Sequence, residues 1–434
     1  MKSLSCFDFF DLYIYLDSSL LNGTVHDLFD YGKPSTEKKY ININNSLGNV
    51  VWENLPSRSS KLLRSKVYQV LLKTALSGHT PLIQKWYWPN GARSFFSLRA
   101  DMDAGEEKSL LQFVEAVSSW PESLSFFVCG KAYVGKEKVL KCVADLGAEI
   151  GNHTYTHYVF SDRGRNRINL ELTEQLLASV AVDPKGYVGP ASFFHTSMYD
   201  VLEEKGYDYT SSFGLSHDDY PFFPMKQNSD RYGMVEIPFY CLGDRFPKFD
   251  LELDGKNVWS FFEQLLEKKY HDCEPMFIYG HPDMVGRMGD HPDLVKFICE
   301  KALSYDDIYT GNMADISSWW RRRHETTADI FYDRENNRVV AQNYHGSEDV
   351  YWSVQIDESS KYLVSGNDLQ NGVRLNDLGM YKKIDLKKSP YAEIGEVIDR
   401  PRERISLRTK IANFRREYRR RQRMIRELDM AKKG

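Results

Sequence analysis

From residue 94 to about residue 325, short apolar runs alternate with longer amphipathic runs. "SFFSLRA" is followed by "EEKSLLQFVEAVSSW", "SLSFFVC" by "GKEKVLKCVADLG", and "MFIYGHP" by "HPDLVKFICEKALS". The short runs predict buried strands, and the amphipathic runs predict helices that cover them. Strands and helices that alternate at this length form parallel sheets with crossover helices. We therefore predict an α/β domain over residues 92–325, either a β/α barrel or an open doubly wound sheet.

Three further regions flank this domain. Residues 1–91 mix apolar runs, an Asn-rich turn and a helical stretch, and they end near the turn sequence "YWPNG", which predicts an N-terminal α+β extension. Residues 326–390 alternate apolar and polar positions between turns, which predicts a small antiparallel β domain. Residues 391–434 predict a basic amphipathic helix.

The charge of the chain is unevenly distributed. Residues 400–434 contain 14 Lys and Arg against 4 Asp and Glu, so this tail carries about +10, and the other 43 basic and 57 acidic residues leave the rest of the chain at −14. The six cysteines lack a CxxC pair, which is typical of reduced thiols. Asp8, Asp11 and Asp17 interrupt the apolar start, so we expect folded structure there and not a secretion signal. These features predict a cytoplasmic protein.

The stretch "SFFSLRADMDAG" places charged residues in an otherwise buried strand. Side chains alternate across a strand, so Arg99, Asp101 and Asp103 share one face. A buried carboxylate is costly without a partner, so an arginine or a metal ion is expected beside the two acids. From this segment alone, a solvated Asp-Gly turn explains the residues equally well.

A second stretch, "EIGNHTYTHYVF", holds His153 and His157 four residues apart just after a predicted strand. On one helical turn, that spacing brings both imidazoles to the same face, where they can chelate one ion. Position 154 is Thr, so the chain lacks the glutamate of the HExxH zinc proteases. By itself the pair favours surface or capping histidines over metal ligands.

Together the two stretches predict a metal site. Both follow predicted strands, and functional sites in α/β sheets and barrels lie at the carboxyl ends of the strands. One Asp and two His form a three-ligand set for a divalent ion, with positions left for water and substrate. The second Asp can then accept a proton from water whose pKa the ion lowers.

In the order of these motifs, residues 92 to 322 resemble the polysaccharide deacetylases, which are carbohydrate esterase family 4 with a NodB-type homology domain. "RADMD" is similar to the acidic first motif of the family, "HTYTH" to its His-x-x-x-His motif, and "MFIYGHPD" to its final histidine motif. The resemblance implies a distorted β/α barrel. It also implies a metal-dependent hydrolase that removes an N-acetyl group from an amino sugar, with a role in cell-surface polysaccharide biosynthesis.

The resemblance further implies roles for individual residues. The middle motif departs from the family pattern, because Val188 stands two residues before Pro190, where the family usually has an arginine that orients the catalytic aspartate. Arg99 offers a physical substitute, since it lies on the same strand face as Asp101 and can acidify that carboxyl group. The roles implied by the resemblance are Asp101 as general base, His281 as general acid, and Asp103, His153 and His157 as metal ligands.

The expected ion is zinc, with cobalt, nickel and iron as alternatives that suit the same ligands. The expected substrate is an N-acetylated glycan, either a polymer or a lipid-linked sugar. Four residues are predicted to contact it because they lie in the middle-motif loop, at the end of a strand, or where many family members place an orienting tryptophan: Pro190, Tyr209, Ser211 and Glu236.

Two other functions remain open at this point. An iron oxygenase with two histidines and one carboxylate uses the same ligand types, although such enzymes usually carry His-x-Asp on a β-sandwich. A non-catalytic glycan-binding or scaffold protein could keep the same fold. Bound iron with oxygen-dependent turnover would indicate the oxygenase, and glycan binding without hydrolysis would indicate the scaffold.

The basic tail has several interpretations. Arginine beside an apolar stripe suits an anionic lipid surface, which would hold the protein peripherally at the inner face of the membrane. The near-heptad spacing is equally consistent with packing on the acidic body or with self-association through residues 400–434. Nucleic acid is not expected, because no nucleic-acid-binding motif is present. The stripe consists of Leu407, Ile411, Phe414, Tyr418, Ile425 and Leu428.

Overall fold

The structure is a computed structural model. It describes residues 2–4, 40–45, 48–53, 68, 72–73, 75–77, 79–190, 195–212, 220–224, 226, 231–239, 243–244, 255–386 and 407–432.

In the described part of the chain, the strands form one long central sheet, two four-stranded sheets and one two-stranded sheet. In chain order they are β1 (Lys2–Leu4), β2 (Tyr40–Asn45), β3 (Gly48–Glu53), β4 (Leu82–Lys85), β5 (Ser94–Met102), β6 (Leu124–Val128), β7 (Glu149–Asn152), β8 (Gly186–Val188), β9 (Tyr209–Ser211), β10 (Val235–Glu236), β11 (Met276–Gly280), β12 (Ile308–Thr310), β13 (Thr327–Asp333), β14 (Arg338–His345), β15 (Tyr351–Gln355), β16 (Ser360–Ser365), β17 (Val373–Arg374) and β18 (Lys382–Asp385).

The helices follow the central strands along the chain. They are α1 (Glu107–Val117), α2 (Gly130–Tyr133), α3 (Glu137–Asp145), α4 (Arg163–Ala178), α5 (Thr196–Lys205), α6 (Gly255–His271), α7 (Pro292–Leu303), α8 (Met313–Glu325), α9 (Gly366–Asn371) and α10 (Leu407–Ala431).

Local chemistry accounts for several of the helix ends. The Asp162 side chain accepts a hydrogen bond from the Arg165 N–H and caps the start of α4. Helix α5 ends at Gly206, whose φ of 74° is the left-handed conformation that glycine adopts without strain.

The central sheet is entirely parallel. Its order is β10-β9-β8-β7-β6-β5-β11, and β12 also pairs with β5. Strands β10 and β11 form the two ends of this order, so within the described residues the barrel is open and the sheet is a curled half-barrel. The predicted α/β fold of the barrel type is confirmed.

The two faces of β5 have different environments. Phe96, Leu98, Ala100 and Met102 pack in the core that the sheet shares with α1, α3, α6 and α7. On the opposite face, Phe95 packs with Trp86, Trp88 and Trp319 near the amino end of the strand. Arg99 and Asp101 are also buried. The strand alternation predicted from the sequence therefore leaves the charged residues inside the half-barrel, at the carboxyl end of the sheet.

Two small antiparallel sheets have the strand orders β1-β13-β14-β17 and β18-β16-β15-β4, and most of their strands follow the half-barrel in sequence. Their apolar residues share one core, which includes Ile83, Ile330, Trp352 and Val364. The antiparallel pairing agrees with the sequence prediction for this region. However, β1 and β4 come from the N-terminal segment, so the predicted boundary at residue 91 does not separate these strands from the C-terminal sheets.

The basic helix α10 packs on the half-barrel domain. Met424 and Leu428 are buried against Tyr158 and Phe160, and Ile425 packs against the same cluster. The sequence allowed several interpretations of the basic tail, and this contact agrees with one of them, a helix that packs on the protein body. Tyr418 of the predicted apolar stripe is 56% exposed, and the side chains of Leu407, Ile411 and Phe414 lie outside the described residues. Among the described helices, none is both long and apolar enough to cross a membrane.

Candidate active site

Three potential metal ligands meet at the carboxyl end of the parallel sheet. Asp103 follows β5, and His153 and His157 follow β7. One donor atom from each residue can be chosen so that all three lie within 4.8 Å of one another. His153 Nε2 lies 3.1 Å from Asp103 Oδ1, and His157 Nε2 lies 3.1 Å from Asp103 Oδ2. The predicted ligand set is therefore assembled at one point.

The geometry of this cluster fits a cation. The ring nitrogen Nδ1 of His153 donates a hydrogen bond to the Val188 carbonyl at 2.8 Å, so Nε2 of the neutral imidazole carries its lone pair toward Asp103. A lone pair facing a carboxylate oxygen is repulsive unless a proton or a cation lies between them. Among the described residues, neither Asp103 Oδ1 nor His157 Nε2 has a hydrogen-bond partner of acceptable geometry. Zinc bonds of about 2.0–2.2 Å would place neighbouring ligands about 3 Å apart, as they are here.

The backbone of the histidine segment differs from the sequence prediction. His153 and His157 do not lie on one helical turn, since residues 153–160 form an irregular loop between β7 and α4. Thr154 and His157 adopt positive φ angles of 63° and 53°. For a β-branched residue such as Thr154, this conformation is strained and requires support from its surroundings.

Helix α4 supplies that support through residues that the sequence analysis missed. The Asn169 side chain accepts a hydrogen bond from the Thr156 N–H at 2.9 Å and donates one to the Tyr158 carbonyl at 2.7 Å. The Asn166 side chain binds both the N–H and the carbonyl of Phe160 at 2.8 Å. Both asparagines are fully buried. Buried asparagine on a helix that follows a histidine pair is the signal that could have indicated such a loop.

Arg99 holds Asp101 in a two-point contact inside the half-barrel. Its Nε and Nη2 atoms donate to the two carboxylate oxygens at 2.7 and 2.6 Å, and Nη1 donates to the Ser211 hydroxyl at 2.9 Å. The guanidinium also lies over the Phe239 ring, with 4.2 Å from Cζ to the ring centroid. Burial alone would raise the pKa of Asp101, but the guanidinium outweighs it and holds that pKa below its usual value. Arg99 thus occupies the orienting position that we predicted for it.

His281 follows β11 and faces the metal ligands from the other side. Its Nε2 atom lies 3.6 Å from Asp103 Oδ2, while its Nδ1 donates to Asp244 Oδ1 at 2.9 Å. Asp244 also accepts a hydrogen bond from the His281 N–H at 2.8 Å. Burial opposes protonation of the imidazole, but the Asp244 carboxylate outweighs it and raises the pKa of His281 to about 9. Asp244 was not predicted as a site residue. It lies in an aperiodic stretch of sequence, where only a Gly-Asp pair could have indicated a turn.

The similarity of this chain to known proteins covers the same region. A family model described as polysaccharide deacetylase matches residues 120–210, which include both histidine ligands. Over these residues the chain is similar to the polysaccharide deacetylase family.

Individual relatives are more distant. The chain is 32% identical over 84 residues to the uncharacterized protein YlxY of Bacillus subtilis, a match that covers 19% of this chain and 26% of that protein. A putative polysaccharide deacetylase from Mycobacterium smegmatis is 21% identical with a TM-score of 0.48, over 55% of this chain and 94% of that one. A CE4 family pseudoenzyme from Bacillus anthracis is 15% identical with a TM-score of 0.36, over 52% and 66% of the two chains.

A further acid fixes the loop that carries Asp103 in the half-barrel domain. The Asp283 carboxylate accepts hydrogen bonds from the backbone N–H groups of residues 103, 104 and 105, at 3.1, 2.9 and 2.6 Å. It also accepts one from the Tyr133 hydroxyl at 2.7 Å. Asp283 lies two residues after His281, so one short segment positions both the candidate acid and the loop of the metal ligand.

The structure buries two of the four predicted sugar contacts among other protein groups. Tyr209 and Glu236 have fully buried side chains. The Tyr209 hydroxyl donates to Glu149 Oε1 at 2.6 Å, and both residues begin their strands, so this pair lies at the amino end of the sheet. Glu236 Oε1 accepts from the Ser212 N–H at 2.8 Å, and its other oxygen accepts from the Tyr199 hydroxyl. Both residues support the sheet from inside.

The other two predicted sugar contacts, Ser211 and Pro190, lie in different surroundings. Ser211 is fully buried, and its hydroxyl donates to the Ile237 carbonyl at 2.6 Å while accepting from Arg99. It therefore positions the arginine. Pro190 is buried after β8, and residues 191–194 of its loop lie outside the described residues, so its predicted contact with substrate stays a prediction.

Proposed function

We propose that this protein is a metal-dependent carbohydrate N-deacetylase that hydrolyses the N-acetyl group of an amino sugar. The observation that supports this proposal best is the convergence of one group of three residues and two pairs at one edge of the sheet. Asp103 meets two histidines, Asp101 is held by Arg99, and His281 is held by Asp244. Amide hydrolysis needs a cation, a base and an acid around one carbonyl group, and this arrangement provides residues for each.

The metal ligands would be Asp103, His153 and His157, with zinc as the first candidate and cobalt, nickel or iron as alternatives. A bound divalent ion supplies Lewis acidity, which polarises an amide carbonyl and lowers the pKa of a water molecule, to about 7 for zinc. The Val188 carbonyl fixes the tautomer of His153 in which Nε2 can act as a ligand.

Asp101 would act as the general base. Arg99 keeps its carboxyl group ionised and fixes its orientation, so that it can accept a proton from the attacking water. A single positioned base typically accelerates such a step by about two to four orders of magnitude. The attack converts the planar amide carbon into a tetrahedral centre.

His281 would act as the general acid. The amide nitrogen must gain a proton before the carbon–nitrogen bond breaks, since an amide anion is a poor leaving group. Asp244 holds the imidazole through Nδ1, which leaves Nε2 facing the metal ligands as the proton donor. The pKa of about 9 keeps His281 protonated at neutral pH. Acetate and the free amine are then the products.

Metal analysis combined with an acetate-release assay tests this function. The purified protein should contain about one divalent ion per chain and release acetate from at least one of a panel of N-acetylated sugars. The Asp101→Asn variant should keep the ion and lose the activity. The matched control is Asp145→Asn, on the exposed face of α3, which should change neither the metal content nor the activity. Wild-type protein that holds the ion but releases no acetate from any sugar in the panel would contradict the proposal.

The same experiment separates the two rival functions. Bound iron with oxygen consumption and no acetate would indicate an oxygenase. Glycan binding without acetate release would indicate a binding or scaffold protein.

A further inference from the structure

The C-terminal helix α10 forms one wall of the cavity at the candidate metal site. The cavity has a volume of about 410 Å³, and Asp103 and His157 line it together with Arg420, Arg423, Met424 and Glu427 of the helix. The helix therefore contributes side chains to the site itself and does not only cover the domain.

The helix is anchored in this position by apolar and polar contacts. Met424 and Leu428 are buried against Tyr158 and Phe160, which directly follow the ligand His157. On the other side of the cavity, Lys131 Nζ lies 2.8 Å from Glu427 Oε2. The wall is thus fixed both to the histidine loop and to α2.

Arg420 is placed beside a metal ligand. Its Nη2 atom donates to the His157 carbonyl at 3.5 Å, and its guanidinium lies 5.6 Å from the centroid of the Tyr158 ring. One turn further along the helix, Arg423 lines the same cavity and lies 3.9 Å from Glu427. Both arginines project from the wall next to the place where an acetamido group would be cleaved.

Apart from the candidate metal ligands, the charged side chains that line the cavity carry a net positive charge. Arg420, Arg423 and Lys131 contribute three cations, and Glu427 contributes one carboxylate. A divalent ion on Asp103 would add to this excess. A concave site lined by charges of one sign concentrates ligands of the opposite charge. Arginine is suited to such ligands because its guanidinium can bind two oxygens of one phosphate or carboxylate group.

We propose that Arg420 and Arg423 select an N-acetylated sugar that carries a negative charge, either a phosphate or a carboxylate, close to the acetamido group. This inference rests on the proposed function, because it names the class of substrate for that same site. It gives the basic tail a role in substrate recognition.

The test uses three monosaccharide probes in the full-length, metal-loaded protein. They are N-acetylglucosamine 1-phosphate, N-acetylmuramic acid, which carries a carboxylate, and the neutral methyl glycoside of N-acetylglucosamine. We expect kcat/KM for at least one anionic probe to exceed that for the neutral probe by about tenfold or more. The identity of the preferred probe distinguishes phosphate from carboxylate. Because the cavity is open to solvent, the preference should decrease as salt increases.

The Arg420→Gln/Arg423→Gln double variant should reduce this preference by about 10- to 100-fold, since each lost charge-assisted hydrogen bond is expected to cost roughly tenfold. Its loss of kcat/KM for the neutral probe should be clearly smaller than its loss for the preferred anionic probe. The control is Arg416→Gln/Arg419→Gln, which removes the same charge from exposed positions of the same helix that do not line the cavity. Circular dichroism should show that both variants remain folded.

Equal kcat/KM for charged and neutral probes in the wild type would overturn the inference. So would an equal loss for both classes of probe in the Arg420→Gln/Arg423→Gln variant. If no probe releases acetate, the proposed function is in doubt, and calorimetric binding of the same probes decides the inference independently. Tighter binding of an anionic probe that is weakened only by the Arg420→Gln/Arg423→Gln variant supports it, and equal binding of all probes refutes it.

Discussion

Replacing Arg99 by methionine should raise the pKa of the Asp101 carboxyl group and thereby move the acidic limb of the pH profile. Methionine keeps much of the length and apolar volume of the arginine side chain but removes the charge and all its donors. In the wild type, two donors from Arg99 contact the two Asp101 oxygens at 2.7 and 2.6 Å. The side chains of the pair are only 3% and 5% exposed, so water cannot replace the lost contacts readily.

The size of the effect follows from this geometry. Breaking one side of a buried ion pair typically costs about 3–5 kcal/mol, and one pKa unit corresponds to about 1.4 kcal/mol. Loss of the pair therefore removes up to this much stabilisation from the ionised carboxylate, which raises the pKa of Asp101 in the variant. His153 and His281 also favour the ionised carboxylate and remain in the variant. We accordingly expect the pKa of Asp101 to rise by less than the loss of the whole pair would give.

The direction of the pH dependence is fixed by the role of Asp101 as a base. A base works only when unprotonated, so kcat/KM falls as the pH decreases through its pKa. Arg99 holds that pKa below its usual value, and the acidic limb of the wild type should lie at low pH. In Arg99→Met, the limb should move to higher pH, with more activity retained at alkaline pH than at pH 5. Acetate release measured from pH 4 to pH 10 provides this profile.

A loss of activity alone would not distinguish positioning of the base from damage to the fold. The metal content should therefore stay at the wild-type level, and Arg99→Lys should restore part of the low-pH activity because it returns a positive charge without the two-point contact. An acidic limb at the same pH in wild type and Arg99→Met would refute the reasoning, whatever the activity at the plateau.

Three further predictions test the other residues of the site. His153→Ala should abolish stoichiometric metal binding measured by mass spectrometry of the bound ion, and full metal content would show that the ligand set is wrong. Asp101→Asn should retain the ion and lower kcat by about two to four orders of magnitude, and an active variant would exclude Asp101 as the base. Asp244→Asn should lower the pKa of His281 from about 9, because the carboxylate that raises it is removed, and should move the alkaline limb of the pH profile to lower pH. An alkaline limb that does not move in this variant would indicate that His281 is not the general acid.

The parts of the site that could be predicted from the sequence lie on regular strands or directly after them. The alternation in "SFFSLRADMD" predicts that Arg99 and Asp101 share the inner face of β5, and their contact follows from that placement. Asp103, His153 and His157 could be associated because the carboxyl ends of parallel strands meet at one edge. These inferences need only strand periodicity and the topology of α/β sheets.

The residues that were misjudged lie where periodicity carries no information. Tyr209 was expected at the catalytic edge, but it begins the short strand β9 and therefore binds Glu149 at the amino end of the sheet. Asp244 lies in an aperiodic segment, and its contact with His281 joins residues 37 positions apart. A contact of this kind depends on how loops fold over the edge of the sheet, which local sequence does not specify.

The histidine loop shows why an HxxxH pair is ambiguous even when its ligands are identified correctly. On a helix, the spacing itself would bring the imidazoles together, and any sequence with helical propensity would preserve the site. In this protein the pair depends on a strained Thr154, on the Asn152 side chain that accepts its N–H at 2.8 Å, and on Asn169 of α4. Strain of about 1–3 kcal/mol at such a position persists only when the surroundings compensate for it. The affinity of the site for a metal ion is therefore tied to the packing of α4, and through Tyr158 and Phe160 to the basic helix that lies over the same loop.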